Sequence, residues 1–374
     1  MQYKAFALAA FASLATAQDL ATTLANQTSL SNLTTYLGLF PDFTATLSQL
    51  QNITLLAPNN AAFATLLNSS AGAAVSNNNT ALIQALFSYH VLNGSYSNFS
   101  AMPEFIPTIL MPPTFTNVTG GQVVEAMGGS NTSFYSGLLQ NSSTVSQSVN
   151  FTGGVIHIID TFLTIPQNIS ATAAQLNLTS VVGALTNTSL AATVDGLSDV
   201  TAFIPNNAAF QSIGSALGNL SMEDLTSILT YHVVSGSMPY YSTSLSNTSL
   251  ATVQGSNLTI SVVGSDVFVN SARVLIPDII VANGVVHVID NVLNPMNSTA
   301  TANPAMSTGA PAFNGASSAS DVPFTSGVAT PTSSVATESA AGATSSSAAG
   351  AMPMKTGAVG AAALFGGMAA VMNM

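Results

Sequence analysis

Four histidines, His90, His157, His232 and His287, and fourteen acidic residues are the side chains of this chain with the means to hold a metal or move a proton. Histidine titrates near neutral pH and ligates metals through its ring nitrogens, and a pair of carboxylates serves glycoside chemistry. The spacing favours neither. His90 and His157 stand 67 residues apart and His232 and His287 stand 55 apart, with no carboxylate at ligand spacing except Asp160 and Asp290. Each of these aspartates follows a histidine by three positions. On a strand such residues face opposite sides, so they do not share a metal. Neutral histidines satisfied in the core by a backbone carbonyl or a tyrosine hydroxyl are the expectation. Glu223 and Asp224 sit where a helix would begin and read as partners of its dipole. The chain has no Gly-x-Ser-x-Gly, Gly-x-Gly-x-x-Gly or Walker sequence. No catalytic, cofactor-binding or metal-binding residue is assigned. The chain reads as a non-enzyme, with a secreted carbohydrate-active enzyme as the alternative should folding bring two acids together.

The elements that must position these residues occur twice, in the same order. Leu-Ala-Pro-Asn-Asn-Ala-Ala-Phe at 56–63 recurs as Phe-Ile-Pro-Asn-Asn-Ala-Ala-Phe at 203–210. Tyr89, His90 and Val91 recur as Tyr231, His232 and Val233, and Gly-Val-Ile-His-Ile-Ile-Asp at 154–160 recurs as Gly-Val-Val-His-Val-Ile-Asp at 284–290. The offset shrinks from 147 to 130 residues, as shorter loops in the second copy require. Residues 53–57 and 200–204 are apolar and β-branched runs stopped by proline, which predicts a strand leading into a turn. The paired asparagines then offer side-chain oxygens to the free amides of a starting helix. Residues 82–87 and 225–229 are apolar at helical spacing, with Ser221 and Asp224 as a variant capping box, and the Tyr-His pair closes that helix. In the third block a glycine opens a strand apolar on both faces. The expected fold class is α+β, built twice, over residues 18–166 and 167–296.

These three blocks, two of them in signature order within each copy, resemble the signature regions of fasciclin (FAS1, beta-Ig-H3) domains. The resemblance implies a β-strand wedge or sandwich flanked by α-helices, and a role in cell adhesion or extracellular matrix. It also singles out Tyr89, His90, Tyr231 and His232 as an interaction motif, because the family's Tyr-His region is linked to adhesion. Secretion, N-glycans, a Ser/Thr stalk and an anchor signal are similar to fungal and plant members. No Arg-Gly-Asp is present, so integrin binding is not carried over.

Charge excludes other partners. Of 374 residues 5% are charged, and the cations are Lys4, Arg273 and Lys355. Lys4 and Lys355 lie in terminal segments expected to be cleaved, which leaves one arginine against fourteen acids. Phosphate contacts need several Lys or Arg, so nucleic acid is not a partner, and neither is anionic lipid through a polybasic patch. Arg273 is expected to pair with Asp266 or Asp278, with an acidic glycan as the other option. The chain has no cysteine, so disulfides, thiolate metal sites and cysteine nucleophiles are excluded. With 47% hydrophobic residues a packed core supplies the stability instead.

Both ends read as processing segments. Residues 1–17 have a charged start, an apolar run too short to span a bilayer, and Ala15 and Ala17 at a cleavage site, which predicts a signal peptide. Residues 351–374 end the chain in an uncharged Ala, Gly, Met and Val tail after the small-residue window 342–350, which predicts a glycosylphosphatidylinositol (GPI) attachment signal, with a retained transmembrane tail as the rival. Between them, 297–350 is rich in Ser, Thr, Ala and Pro without apolar periodicity and is expected to be an O-glycosylated stalk, about 150 Å long if extended.

Sugar takes the place of charge on the surface. The sequence holds eighteen Asn-x-Ser/Thr acceptors. Sixteen are taken as glycosylation candidates: Asn26, Asn32, Asn68, Asn78, Asn93, Asn98, Asn117, Asn131, Asn141, Asn150, Asn168, Asn177, Asn187, Asn219, Asn247 and Asn297. Asn52 and Asn257 are set aside as lying within buried strands. The expected function is that of a secreted, anchored cell-surface or wall-associated glycoprotein that mediates adhesion or wall and matrix organisation. Its expected partners are extracellular glycans or matrix and wall proteins, with self-association as a further option and no cofactor. A vacuolar or secretory-pathway membrane protein is the alternative location.

Overall fold

The computed structural model describes residues 18–68, 79–297, 301–303, 309 and 311–328. In each copy the Pro-Asn-Asn block and the Gly-Val-x-His block become two central parallel strands. In the first copy Ile53–Pro58 pairs with Gly154–Ile159 and sets Leu56 opposite His157. In the second, Val200–Pro205 pairs with Gly284–Ile289 and sets Phe203 opposite His287. The glycine that opens the later strand is required by this close pairing. A Cβ on Gly154 would stand 1.8 Å from the Ile53 carbonyl oxygen, and one on Gly284 would stand 1.9 Å from that of Val200. Val91–Asn93 and Val233–Ser235, the strands that follow each Tyr-His pair, flank the sheets on one side.

The two copies differ in how the sheet continues. In the first, Val149–Phe151 completes a four-stranded sheet, and Glu104–Pro107, Val123–Met127, Ser133–Tyr135 and Asn141–Ser143 form a separate antiparallel one. In the second, the single strand Ala272–Val281 runs through both and merges them into seven strands, with register shifts at Val274/Ile276 and Ile276/Ile279. Such irregularities bend a strand so that one chain can serve two sheets.

Helices cover the sheets where the apolar spacing places them. Thr80–Tyr89 and Met222–Tyr231 each end at the Tyr-His pair, and the second opens with the Ser221–Asp224 capping box. The paired asparagines divide their work in a way the sequence reading did not anticipate. Asn59 Oδ1 accepts from Ala62 N and Asn206 Oδ1 from Ala209 N, both at 2.8 Å, so the first of each pair caps its own helix. The second caps a different helix: Asn60 Oδ1 accepts from Asn32 N at 3.0 Å and Asn207 Oδ1 from Ser180 N at 3.1 Å, at the starts of Ser31–Gly38 and Thr179–Asn187. Their amides donate back to Thr28 O and Asn177 O, which staples two helices together. Asn207→Ala is therefore expected to cost about 2 kcal/mol, more than the roughly 1 kcal/mol for loss of one cap at Asn206. Urea titration of the two variants checks the order.

One expectation about a segment changes. Residues 311–328, assigned to the stalk, pack onto the second copy: Ala312 and Phe313 are buried in its core and Phe324 packs against it. Ser215 N donates to Ser317 O at 3.0 Å and Ala319 N to Gln211 O at 2.9 Å. A chain poor in apolar residues is anchored here by two aromatic side chains. The two copies also interlock. Leu138 and Leu139 of the first copy, both in left-handed backbone conformation, belong to the core of the second. Asn117 N donates to Ala282 O, and Thr119 N and Oγ1 donate to the Asp199 carboxylate, all within 2.8 Å. Phe105 stacks on Tyr241 across the same seam at 4.2 Å. The segments 1–17 and 351–374, expected as signal peptide and GPI-attachment signal, and the acceptor Asn78 lie outside the described residues.

Candidate functional site

The Tyr-His pairs lie inside the molecule. Tyr89 is 0% exposed, His90 1%, Tyr231 0% and His232 4%. Tyr89 Oη donates to Val123 O at 2.8 Å; Tyr231 Oη donates to Asn257 O at 2.9 Å and accepts from Asn270 Nδ2. Each histidine caps the helix that it ends. His90 Nδ1 donates to Leu86 O at 2.7 Å while its Nε2 accepts from Leu163 N at 3.0 Å. His232 repeats this with Ile228 O at 2.7 Å and Leu293 N at 2.9 Å. A ring that donates on one side and accepts on the other is the neutral tautomer, and burial pulls both histidines down to about 4. Burial also pushes both tyrosines up. Both ring nitrogens of each histidine and the hydroxyl proton of each tyrosine are engaged within the protein.

The strand histidines also bond to carbonyls. His157 Nε2 donates to Tyr96 O at 2.7 Å and His287 Nε2 to Tyr240 O at 2.9 Å. Their following aspartates turn elsewhere, Asp160 Oδ1 to Ser143 N and Asp290 Oδ1 to Arg273 N. The Arg273 guanidinium pairs with Asp266 at 2.7 Å, while Asp278 accepts from Ser242 N instead. Among the described residues no group of three or more His, Asp or Glu side chains is placed to hold a metal ion.

The glycan acceptors fall into three groups. Asn26, Asn32, Asn68, Asn93, Asn98, Asn131, Asn150, Asn187, Asn219 and Asn247 are exposed. Asn52 and Asn257 are exposed as well, which corrects their exclusion: Asn52 precedes its strand in a left-handed turn, and Asn257 opens a strand whose alternate residues face solvent. Asn141, Asn168, Asn177 and Asn297 are half-buried, Asn168 as a helix cap. Asn117 is exposed, yet its Nδ2 donates to Gly196 O and Leu197 O of the other copy. A glycan there would replace a hydrogen that the seam uses.

One further feature has no signal in the sequence. A cleft of about 560 Å³ opens in the first copy, its wall including Ser97, Ser130, Thr132, Thr144, Gln147 and His157, with no Asp, Glu, Lys or Arg on it. Asn98 and Asn131 stand on the same wall. Its residues come from three separate loops and one strand, each too short and too ordinary in composition to be noticed alone.

Comparison with known proteins places this architecture. The fasciclin domain family matches residues 7–166 and 176–295. A fasciclin-like arabinogalactan protein of Arthroderma benhamiae is 37% identical over 301 residues, which are 79% of this chain and 71% of that one. A second fasciclin-like arabinogalactan protein, from Phaeosphaeria nodorum, is 32% identical over 75% of this chain and 89% of its own. Among solved structures, a FAS1 domain pair from the insect cell adhesion molecule fasciclin I is similar at 18% identity and a TM-score of 0.34, covering 68% of this chain and 92% of that one. With the family matched in both halves, in the order that the repeated blocks occur, this chain belongs to the fasciclin family and consists of two tandem fasciclin domains.

Proposed function

We propose that this protein is a cell-surface or wall-associated glycoprotein that mediates adhesion, or the organisation of matrix or wall, by binding and not by catalysis. The observation that carries this reading is the exposure of uncharged glycan acceptors over both domains. A protein with 5% charged residues needs another source of surface hydration, and covalent sugar supplies it. The names of the fungal relatives, which contain the word arabinogalactan, agree with a sugar-bearing surface.

The leader 1–17 exports the chain and the segment 351–374 directs attachment of a GPI anchor within 342–350. The domains span 18–166 and 167–296, with 311–328 added to the second and the stalk running from there to 350. Among the described residues no helix is long and apolar enough to cross a membrane. Tyr89, His90, Tyr231 and His232 serve recognition as positioning residues, holding the strands that follow them.

A screen of the N-glycosylated chain spanning 18–328 against wall glycans and matrix proteins tests the reading. Binding to a member of either class, together with release of the cellular protein by phosphatidylinositol-specific phospholipase, is expected. Cleavage of a polysaccharide without binding overturns adhesion, and resistance to the phospholipase overturns the lipid anchor in favour of a retained tail.

A further inference from the structure

We infer that the cleft of the first domain is a binding site for a neutral saccharide. This rests on the adhesion reading above and gives it a location. The wall carries hydroxyl and amide groups and no formal charge, which suits a ligand rich in hydroxyls and offers nothing to a charged peptide or an acidic glycan. At about 560 Å³ the space lies within the range of roughly 300–1,000 Å³ typical of small-ligand sites.

His157 gives the site an oriented acceptor. Its Nε2 donates to Tyr96 O, so the hydrogen is on Nε2 and Nδ1 keeps its lone pair. Among the described residues Nδ1 has no hydrogen-bond partner. In the second domain the matching atom of His287 is taken, accepting from Asp278 N at 3.3 Å. The two copies thus differ at this atom, and the open acceptor of the first copy lies on a residue of the cleft wall. Phe99 and Phe134 hold the ring of His157 at 5.2 and 6.3 Å between centroids, which fixes the direction of that lone pair. Burial lowers this histidine from its ordinary value, which favours the neutral ring with its acceptor. A sugar hydroxyl donating to Nδ1, with further hydroxyls meeting Ser130 and Gln147, satisfies the site.

The saccharide has two sources. Asn98 and Asn131 line the cleft and are acceptors themselves, so a glycan of this chain can fold back into it, or the glycan of another molecule can enter. The experiment uses the secreted full chain with its N-glycans intact and after enzymatic removal, titrated calorimetrically with a neutral mannose oligosaccharide, a neutral galactose oligosaccharide and a uronic-acid oligosaccharide of equal length. The deglycosylated chain is expected to bind a neutral probe. Ser130→Ala with Gln147→Ala, at exposed positions that leave folding intact, is expected to weaken binding at least tenfold, and His157→Phe to abolish it. Binding only after deglycosylation identifies the chain's own glycan as the occupant, and binding in both states identifies a glycan from outside. Failure of both neutral probes to bind, preference for the uronic acid, or unchanged affinity in the double variant overturns the site. If the double variant binds the neutral probes as the wild type does while the wild type binds in the wall-glycan and matrix-protein screen, the cleft assignment fails while adhesion stands; if the wild type binds nothing there, adhesion itself fails.

Discussion

A chain ended after Asn297 is expected to lose about 3–5 kcal/mol of stability in its second domain, because Phe313 and Phe324 leave the core against which they pack. Ending the chain after Val328 instead is expected to cost nothing. The reason lies in a difference between the copies. In the first domain Phe63, on the helix Asn60–Leu67, is covered by Tyr36 in a stack of 5.3 Å. In the second, its counterpart Phe210 meets Phe324, edge to face at 6.1 Å, from more than a hundred residues along the chain. The helix Thr179–Asn187 makes room for this with Gly183, where a Cβ would stand 1.7 Å from the Phe324 carbonyl oxygen. A sign change follows. In an exposed helix Gly→Ala stabilises by about 1 kcal/mol. Gly183→Ala is expected to do so in the chain ended after Asn297, where the strap is gone, and to destabilise the full-length chain. Urea titrations of the four proteins decide it; the same sign in both backgrounds would mean that 311–328 does not sit on the domain in solution.

Acidification is expected to weaken the fold through His90 and His232. The ordinary histidine value is 6.5, and burial lowers both to about 4 in the folded chain. Between these values the unfolded chain binds a proton that the folded chain refuses. Stability is therefore full above pH 6.5, falls as pH drops from 6.5 to 4, and loses nothing more from these groups below 4. The loss is about 3 kcal/mol for each histidine across that window. His90→Gln with His232→Gln is expected to be less stable at pH 7 and to show a flatter fall below it. His232→Ala alone is expected to cost about 3 kcal/mol at neutral pH, since it leaves Ile228 O and Leu293 N buried without partners. Unchanged stability combined with lost binding in the Ala variant would instead assign these residues to direct recognition.

Much of the fold was legible because its signals are local or repeated. The proline that stops Ile53–Pro58, the apolar spacing of Thr80–Tyr89 and the Ser221–Asp224 capping box each act within a few residues, and each produced the element expected. The neutrality of the histidines was legible too, from the lack of neighbours that could make them ligands. The partners were not. Nothing near His90 in the sequence points to Leu163 N, 73 residues on.

By itself the sequence determined that this is a chain of two α+β repeats with few charges, no thiol chemistry and many glycan acceptors, because composition and short-range periodicity do not depend on how distant segments meet. The tertiary structure alone decided that Asn60 and Asn207 cap the neighbouring helix, that Leu138 and Leu139 enter the other domain's core, that Phe313 and Phe324 turn part of a presumed stalk into a strap, and that three loops and a strand enclose a polar cleft. Each of these is a contact between residues far apart in the chain, and such contacts depend on the shape of a surface that exists only once the sheets and helices have packed.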